Sequence, residues 1–225
     1  MAKKSVLTRD EIRDVYDRQA GIYDITVWFY YLAGMRIGRW RRMVVDALSL
    51  RPGDTVVEIG CGTGLNFALL ERHIGSEGKI VGVDISEAML NRARERVRAA
   101  GWQNVELFRC SASDFIFPND TRGILATGVL TYEPEFDKVI ERGSAALAPG
   151  GKWAVFDYKM PRNWLRYLAP LFVALGSSFG VSKAFMERHI WESVERHLDN
   201  TRMQELYGGF VYIVSGEASS LRIAD

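Results

Sequence analysis

The chain has 225 residues, 48% of them hydrophobic and 25% charged, with a net charge of +1. That length carries a full hydrophobic core without disulfide or metal staples, and the composition excludes disordered, collagen-like and coiled-coil chains. With 29 basic residues against 28 acidic ones, there is no electrostatic case for nucleic acid as the main partner.

The predicted elements begin with helices. Residues 1–50 combine a charged stretch from Thr8 to Arg18, an aromatic stretch from Tyr23 to Tyr31 and a basic cluster of Arg36, Arg39, Arg41 and Arg42. Val44, Val45, Leu48 and Leu50 continue an apolar helical face, which Arg51-Pro52-Gly53-Asp54 ends as a turn. Strand and helix then alternate. Thr55–Gly60 is a β-branched strand, Leu65–Ile74 a helix and Lys79–Asp84 a second strand. Ser86 caps the next helix, along which Met89, Leu90, Ala93 and Val97 recur at helical spacing. Val105–Arg109 and Gly123–Thr127 are the third and fourth strands, and Phe136–Leu147 is a helix. Pro149-Gly150-Gly151 turns the chain into a fifth strand, Lys152–Asp157. Such alternation with short connections means a parallel sheet covered on both faces. Met160–Ile190 is an apolar, aromatic segment broken by prolines and glycines, Trp191–Leu198 is a helix, and Arg202–Tyr207 with Phe210–Ser215 form a hairpin around Gly208-Gly209. The economical organisation is one domain: a helical lid (1–50), a core (51–158), an inserted cap (159–190) and a final helix and hairpin (191–225).

Two cysteines, Cys61 and Cys110, make neither a disulfide framework nor a zinc cage, so no metal site is expected. The start, Met1-Ala2-Lys3-Lys4, leads into charged sequence, and no uncharged run reaches the ~18 residues of a membrane span. The expectation is a cytoplasmic protein.

The most informative stretch is Glu58-Ile59-Gly60-Cys61-Gly62-Thr63-Gly64, at the end of the first parallel strand. Glycines there let the backbone approach a ligand, and the following helix offers free N–H groups. The spacing is Gly-x-Gly-x-Gly rather than the dinucleotide Gly-x-Gly-x-x-Gly. Asp84 ends the second strand 20 residues after Gly64, where a carboxylate accepts ribose hydroxyls.

These motifs, with Val83-Asp84-Ile85-Ser86 and Leu147-Ala148-Pro149-Gly150-Gly151-Lys152, resemble those of class I S-adenosylmethionine-dependent methyltransferases over about residues 50 to 160. The resemblance implies an α/β, Rossmann-like fold with a seven-stranded, mostly parallel sheet, and S-adenosylmethionine as cofactor. It places Gly60, Cys61 and Gly62 beneath the methionine and ribose, Asp84 on the ribose hydroxyls, and Ile85 and Met89 beside the adenine. Glu58, Asn66, Ala112 and Thr127 complete the implied cofactor set. The third strand departs from the family: Cys110-Ser111-Ala112 stands where Gly-Asp-Ala is common, leaving Ser111, the adjacent backbone or Asp114 to meet the adenine amine. Cys110 reads as a small packed residue rather than a nucleophile.

Methyl transfer from a sulfonium is an in-line displacement, so the protein mainly aligns the acceptor and excludes water. The three histidines, His73, His189 and His197, show no base or metal spacing, and His189 alone lies beside the cap. Tyr16 to Asp24 resembles the N-terminal Tyr-x-x-x-Ala-x-x-Tyr-Asp element of ubiquinone-type and phospholipid-type methyltransferases, which implies that Tyr16 and Tyr23 close over the cofactor. Tyr132 follows the fourth strand and Tyr158 ends the fifth, at the edge where an acceptor sits. With Tyr23 they are the residues expected to surround a reacting amine by cation–π attraction. The cap carries Lys159, Arg162, Arg166, Lys183 and Arg188 against Glu187 alone, interleaved with bulky apolar residues, a pattern suited to an anionic membrane surface or to a lid with a solvated basic rim.

Tyr-Asp-x-Thr from Tyr23 and Leu-Tyr-Gly-Gly-Phe-Val-Tyr from Leu206 make the whole chain similar to bacterial phosphatidylethanolamine N-methyltransferases and betaine-lipid N-methyltransferases. The expected activity is therefore N-methylation of a lipid head-group amine at the inner membrane face. The alternatives are a small soluble metabolite or a quinone as acceptor, and, in another class, a non-catalytic cofactor-binding module. Thr127–Pro134 does not match the Asn-Pro-Pro-Tyr type of base methyltransferases, so nucleic acid is not expected. Oligomeric state leaves no signature in the sequence.

Overall fold

A computed structural model of the chain describes residues 8–25, 34–176 and 182–219. The aromatic run beyond Ile25, and Phe179 and Gly180 of the cap, lie outside the described residues. In chain order the elements are α1 (Arg9–Gln19), α2 (Ile37–Ala47), β1 (Thr55–Ile59), α3 (Phe67–Ile74), β2 (Lys79–Asp84), α4 (Glu87–Ala100), β3 (Val105–Arg109) and β4 (Thr121–Thr127). They continue with α5 (Phe136–Ala146), β5 (Leu147–Tyr158), α6 (Ala169–Gly176), α7 (Lys183–Met186), α8 (Ile190–His197), β6 (Asp199–Leu206) and β7 (Val211–Glu217).

The seven strands form one sheet in the order β3-β2-β1-β4-β5-β7-β6. Pairings from β3 through β5 are parallel, and β7 runs antiparallel to both β5 and β6. Successive strand residues point to opposite faces, and both faces are apolar. Val56, Ile80, Leu125 and Ala154 meet α2, α3 and α4, whereas Val57, Val81, Ile124 and Val155 meet α5 and α8. This is the Rossmann-like architecture that the glycine and acidic motifs imply.

Several boundaries differ from the sequence reading, each for a local reason. α3 begins at Phe67 rather than Leu65 because Gly62–Asn66 stay in turns, with Gly62 N–H donating to Asp84 and Gly64 N–H to the Cys61 carbonyl. β4 starts at Thr121, and β5 includes Pro149-Gly150-Gly151 as an irregularity at which the register jumps from Thr121↔Leu147 to Gly123↔Lys152. Gly150 has φ +71°, and a Cβ at Gly151 would come within 2.9 Å of the Ala148 carbonyl oxygen, so only glycines let the strand bulge here. β6 begins at Asp199, earlier than Arg202, across a second register shift.

Candidate active site

The strand order reverses between β1 and β4, and a crevice opens beyond their carboxyl ends. The cleft there holds about 780 Å³ of empty space, its open mouth included. Its floor is the glycine loop. Gly60 has φ +64° and Gly62 φ +55°, a backbone that other residues adopt only under strain. A Cβ at Gly60 would lie 2.4 Å from Val129, whereas one at Gly62 would meet nothing within 4 Å. Packing thus requires Gly60, while Gly62 leaves its backbone open to close approach by a ligand.

Beneath the loop, Glu58 is 1% exposed. Its Oε1 accepts from Asn66 Nδ2 at 2.6 Å, and its Oε2 has no hydrogen-bond partner. Burial pushes the carboxyl up to about 8, against the pull of the Asn66 hydrogen bond and the Arg41 charge. Asn66 Nδ2 also donates to Thr127 Oγ1 at 3.2 Å, and its Oδ1 accepts from Arg41 Nη1 at 3.0 Å. Arg41 Nε is buried without a partner. Two ionisable groups with unspent hydrogen-bonding capacity are therefore joined through Asn66 beneath the loop.

Asp84 receives the Gly62 N–H on Oδ2 at 2.8 Å and the Ser86 N–H on Oδ1 at 2.9 Å. Burial raises its carboxyl to about 6, opposed by these two N–H groups. Ser86 caps α4 through Met89 N, as the sequence predicts. Ile85 and Met89 line the cleft beyond it, with Cys110, Ser111 and Ala112 opposite. The Ser111 hydroxyl donates to Asp114 Oδ2 at 2.6 Å. Ser111 thus faces the cleft, and Asp114, exposed behind it, holds its proton.

The roof comes from the N-terminal segment. A Thr8–Glu11 capping box starts α1, which brings Arg9, Ile12 and Tyr16 over the cleft, with Tyr23 following. Three polar ties hold it down. Asp17 accepts from Ser86 Oγ at 2.5 Å, and Asp24 accepts from Thr63 Oγ1 and Arg96 Nη2, both at 2.6 Å. Arg9 Nη2 pairs with Glu133 at 3.1 Å and Glu135 at 3.0 Å. Tyr16 lies 6.2 Å from Tyr23 and 6.0 Å, edge-on, from Tyr132.

The remaining wall is the loop after β4, with Thr127, Gly128, Val129, Tyr132 and Glu133. Fully buried Asp157 anchors it, accepting from Thr131 N at 3.0 Å and Tyr158 N at 2.9 Å, and burial raises its carboxyl to about 6. Arg188 adds bonds to the Thr131 carbonyl at 3.0 Å and the Glu133 carbonyl at 2.6 Å.

Of the residues expected from sequence, Tyr16, Tyr23, Gly60, Gly62, Asp84, Ile85, Met89, Ser111, Ala112, Thr127 and Tyr132 meet around one cleft. Glu58, Cys61 and Asn66 do not line it. They are buried beneath, where Glu58 and Asn66 fix the loop, and Cys61 is packed so that a Cβ on Gly82 would sit 3.0 Å from its Sγ. Tyr158 stands behind Gly128 against Phe172, one layer from the cleft. Cys110 is half-buried on the cleft wall rather than packed in the core. His189 is exposed, stacked on Trp191 at 4.5 Å and bonded to Glu192, and does not line the cleft. Sequence reasoning missed Arg9, Arg41 and Glu133. Arg41 read as one of a basic cluster, and only Glu133's place beside Tyr132 after β4 could have marked it.

The site suits an adenosine joined to an amino acid. Asp84 offers lone pairs to ribose hydroxyls, and Ile85, Met89 and Ala112 form an apolar slot for a flat base. Beneath the floor, outside the cleft lining, Glu58 Oε2 and Arg41 Nε stay buried without a hydrogen-bond partner. Fold and site together define a class I S-adenosylmethionine-dependent methyltransferase. Within that class the chain belongs to the ubiE/COQ5 methyltransferase family, whose profile matches residues 4–214. It is 30% identical over 189 residues to the demethylmenaquinone methyltransferase of Listeria monocytogenes serotype 4b (strain CLIP80459), covering 78% of this chain and 77% of that protein. It is 32% identical over 159 residues to the 2-phytyl-1,4-naphthoquinone methyltransferase of Synechococcus elongatus, covering 70% and 67%. The fold matches Haemonchus contortus phosphoethanolamine N-methyltransferase 2 with a TM-score of 0.67 at 20% identity, over 87% of this chain and 46% of that one. The Listeria and Synechococcus relatives, named as quinone methyltransferases, favour the quinone alternative over the phospholipid amine expected from the chain's ends. Among the described residues, no helix is long and apolar enough to cross a membrane.

Proposed function

We propose that this methyltransferase methylates a ring carbon of a quinol that carries a long apolar tail. The supporting observation is the joint presence of the quinone-specific relatives and an acceptor wall of Ile12, Tyr16, Val129 and Tyr132 that suits a flat aromatic ring. S-Adenosylmethionine supplies an electrophilic methyl group when bound. Asp84, Glu58 and Arg41 hold it through the ribose and the amino-acid end, with Tyr16 and Tyr23 excluding water from above.

Carbon methylation requires that a ring hydroxyl lose its proton, so that electron density rises on the adjacent carbon. Glu133 is the carboxylate on this wall. It is 7% exposed and is oriented by Arg9 and by the Glu135 N–H at 3.1 Å. In this reading it accepts the hydroxyl proton. The ring carbon then takes the methyl group and sheds its own proton, which restores the aromatic ring, while Glu133 returns its proton to the ring oxygen, so that one proton is released overall.

The test is transfer of labelled methyl from S-adenosylmethionine in the presence of a reduced demethylated naphthoquinol and a bacterial lipid extract. Label migrating with the quinone supports the reading. Label in the phospholipid fraction would replace it with the head-group amine, for which the same tyrosines and Glu133 would instead surround a cation. Label confined to the aqueous phase would remove a lipid acceptor altogether.

A further inference from the structure

The five cations of the cap fall into two groups. Lys159 is 2% exposed, paired with Glu205, with its Nζ 5.1 Å from the centre of the Trp191 ring, and Arg188 is spent on loop carbonyls. Lys183 is exposed but lies 3.7 Å from Glu187. Arg162 and Arg166 are exposed and form no ion pair among the described residues.

Around these two arginines the chain makes a short 3₁₀ turn, Trp164–Leu168, and runs into α6, Ala-Pro-Leu-Phe-Val-Ala-Leu-Gly, which carries no polar side chain. The inner side of this segment is fixed. Leu165 fills the space over Gly208, where a Cβ would meet it at 2.4 Å, and Phe172 stacks on Phe210 at 4.8 Å. The outer side is equally apolar, with Trp164 70%, Tyr167 79%, Leu168 46% and Leu171 62% exposed. A helix apolar on both sides is ordinarily covered on both sides, and a contiguous exposed patch of this kind marks an interaction surface.

We infer that this patch docks the protein on an anionic lipid bilayer, Trp164, Tyr167, Leu168 and Leu171 entering the interfacial layer and Arg162 and Arg166 meeting lipid phosphates. Charge complementarity selects the bilayer, since unpaired arginines flank the apolar residues and no acidic side chain of the segment opposes them. The residue types agree, because Trp and Tyr rings favour the membrane–water boundary. So does position. Phe172, on the inner side of α6, lies 6.0 Å from Tyr158, which stands directly behind Gly128 of the cleft wall. A protein docked by this face holds the acceptor side of its cleft next to the lipid. The inference builds on the tailed-acceptor reading, yet the experiment below needs no acceptor, so either can fail alone.

The full chain is mixed with vesicles of phosphatidylcholine alone or containing phosphatidylglycerol, and bound protein is measured by sedimentation. The expected result is binding to the anionic vesicles that weakens as salt rises. R162Q/R166Q should lower the partition coefficient by about 30-fold, the worth of two arginines at such a surface. W164S/Y167S/L171S should abolish measurable binding, with cofactor affinity by calorimetry unchanged as proof of an intact fold. Undiminished binding of either variant, or equal binding to both vesicle types, overturns the inference. So does the absence of vesicle binding together with a concentration-dependent dimer, seen in sedimentation velocity, that W164S/Y167S/L171S disrupts, because the patch then serves a second copy of the chain.

Discussion

The half of the cleft floored by the glycine loop, from Ile59 to Ala112, takes its groups from the ends of three strands that succeed one another in the chain, β1, β2 and β3. The acceptor half joins α1, the loop after β4 and the segment preceding α8, and its Arg9–Glu133 pair spans 124 residues. The first half rests on backbone geometry and buried acids, which local sequence encodes. The second half rests on aromatic side chains and one ion pair, brought together only when distant segments pack. Chemistry common to all methyl transfers thus sits on the rigid sheet edge, and acceptor selection sits on elements that can vary independently of it.

The sharpest separation of the two halves is Glu133→Gln, which keeps an acceptor for Arg9 and the Glu135 N–H but removes the proton acceptor. Turnover should fall by about 10²–10⁴-fold while cofactor affinity holds, the scale of a lost general base. Unchanged turnover in the labelled-methyl assay takes Glu133 out of the chemistry. Gly60→Ala attacks the cofactor half through its backbone. Positive φ and the clash with Val129 should together cost about 3 kcal/mol or more, lowering the melting temperature by roughly 6–12 °C. Gly62→Ala, with only the φ strain, should cost about 1 kcal/mol, and equal melting temperatures for the two variants would contradict the packing argument. Asp84→Ala should weaken cofactor binding by about 1–3 kcal/mol, roughly 5- to 150-fold in calorimetry, whereas Tyr132→Phe leaves it unchanged.

The smallest effect is the most diagnostic. Glu58, Asp84 and Asp157 hold protons in the folded state up to about 8, 6 and 6, above their ordinary values of 4.5, 3.8 and 3.8. The folded chain therefore binds more protons than the unfolded one in that window, and the ligand-free protein should lose stability as pH rises through it. If, as proposed, cofactor binding uses ionised Glu58 and Asp84, affinity should rise by at least about tenfold from pH 6 to 8.5. Glu58→Gln should flatten that rise above pH 7. A Glu58→Gln variant with the original slope would show that the carboxylate does not face the cofactor ammonium.

The glycine loop, Asp84 and the Ser86 cap were legible because each acts within a few residues of itself, through a φ angle or a hydrogen bond to a neighbouring N–H. The strand cores were legible because short β-branched apolar runs bounded by turns read as strands buried on both faces. The β5 bulge was not, since Pro149-Gly150-Gly151 reads equally as a turn until β4 offers a partner. Nor was the fate of the cap's charges, because a sequence gives Lys159 and Arg162 the same sign but not the same solvent.

The sequence by itself determined the sheet with its helices, the position of the crevice and the cofactor, because these follow from local backbone preference and hydrophobic periodicity. Tertiary packing alone decided that Glu133 and Arg9 share the acceptor wall and that Arg41 is joined to Asn66 beneath the loop. It also decided that Lys159 turns inward while Trp164 and Tyr167 face out. Each of these depends on which surface a side chain meets across more than one element, and burial, which sets both charge cost and contact, is a property of the folded chain.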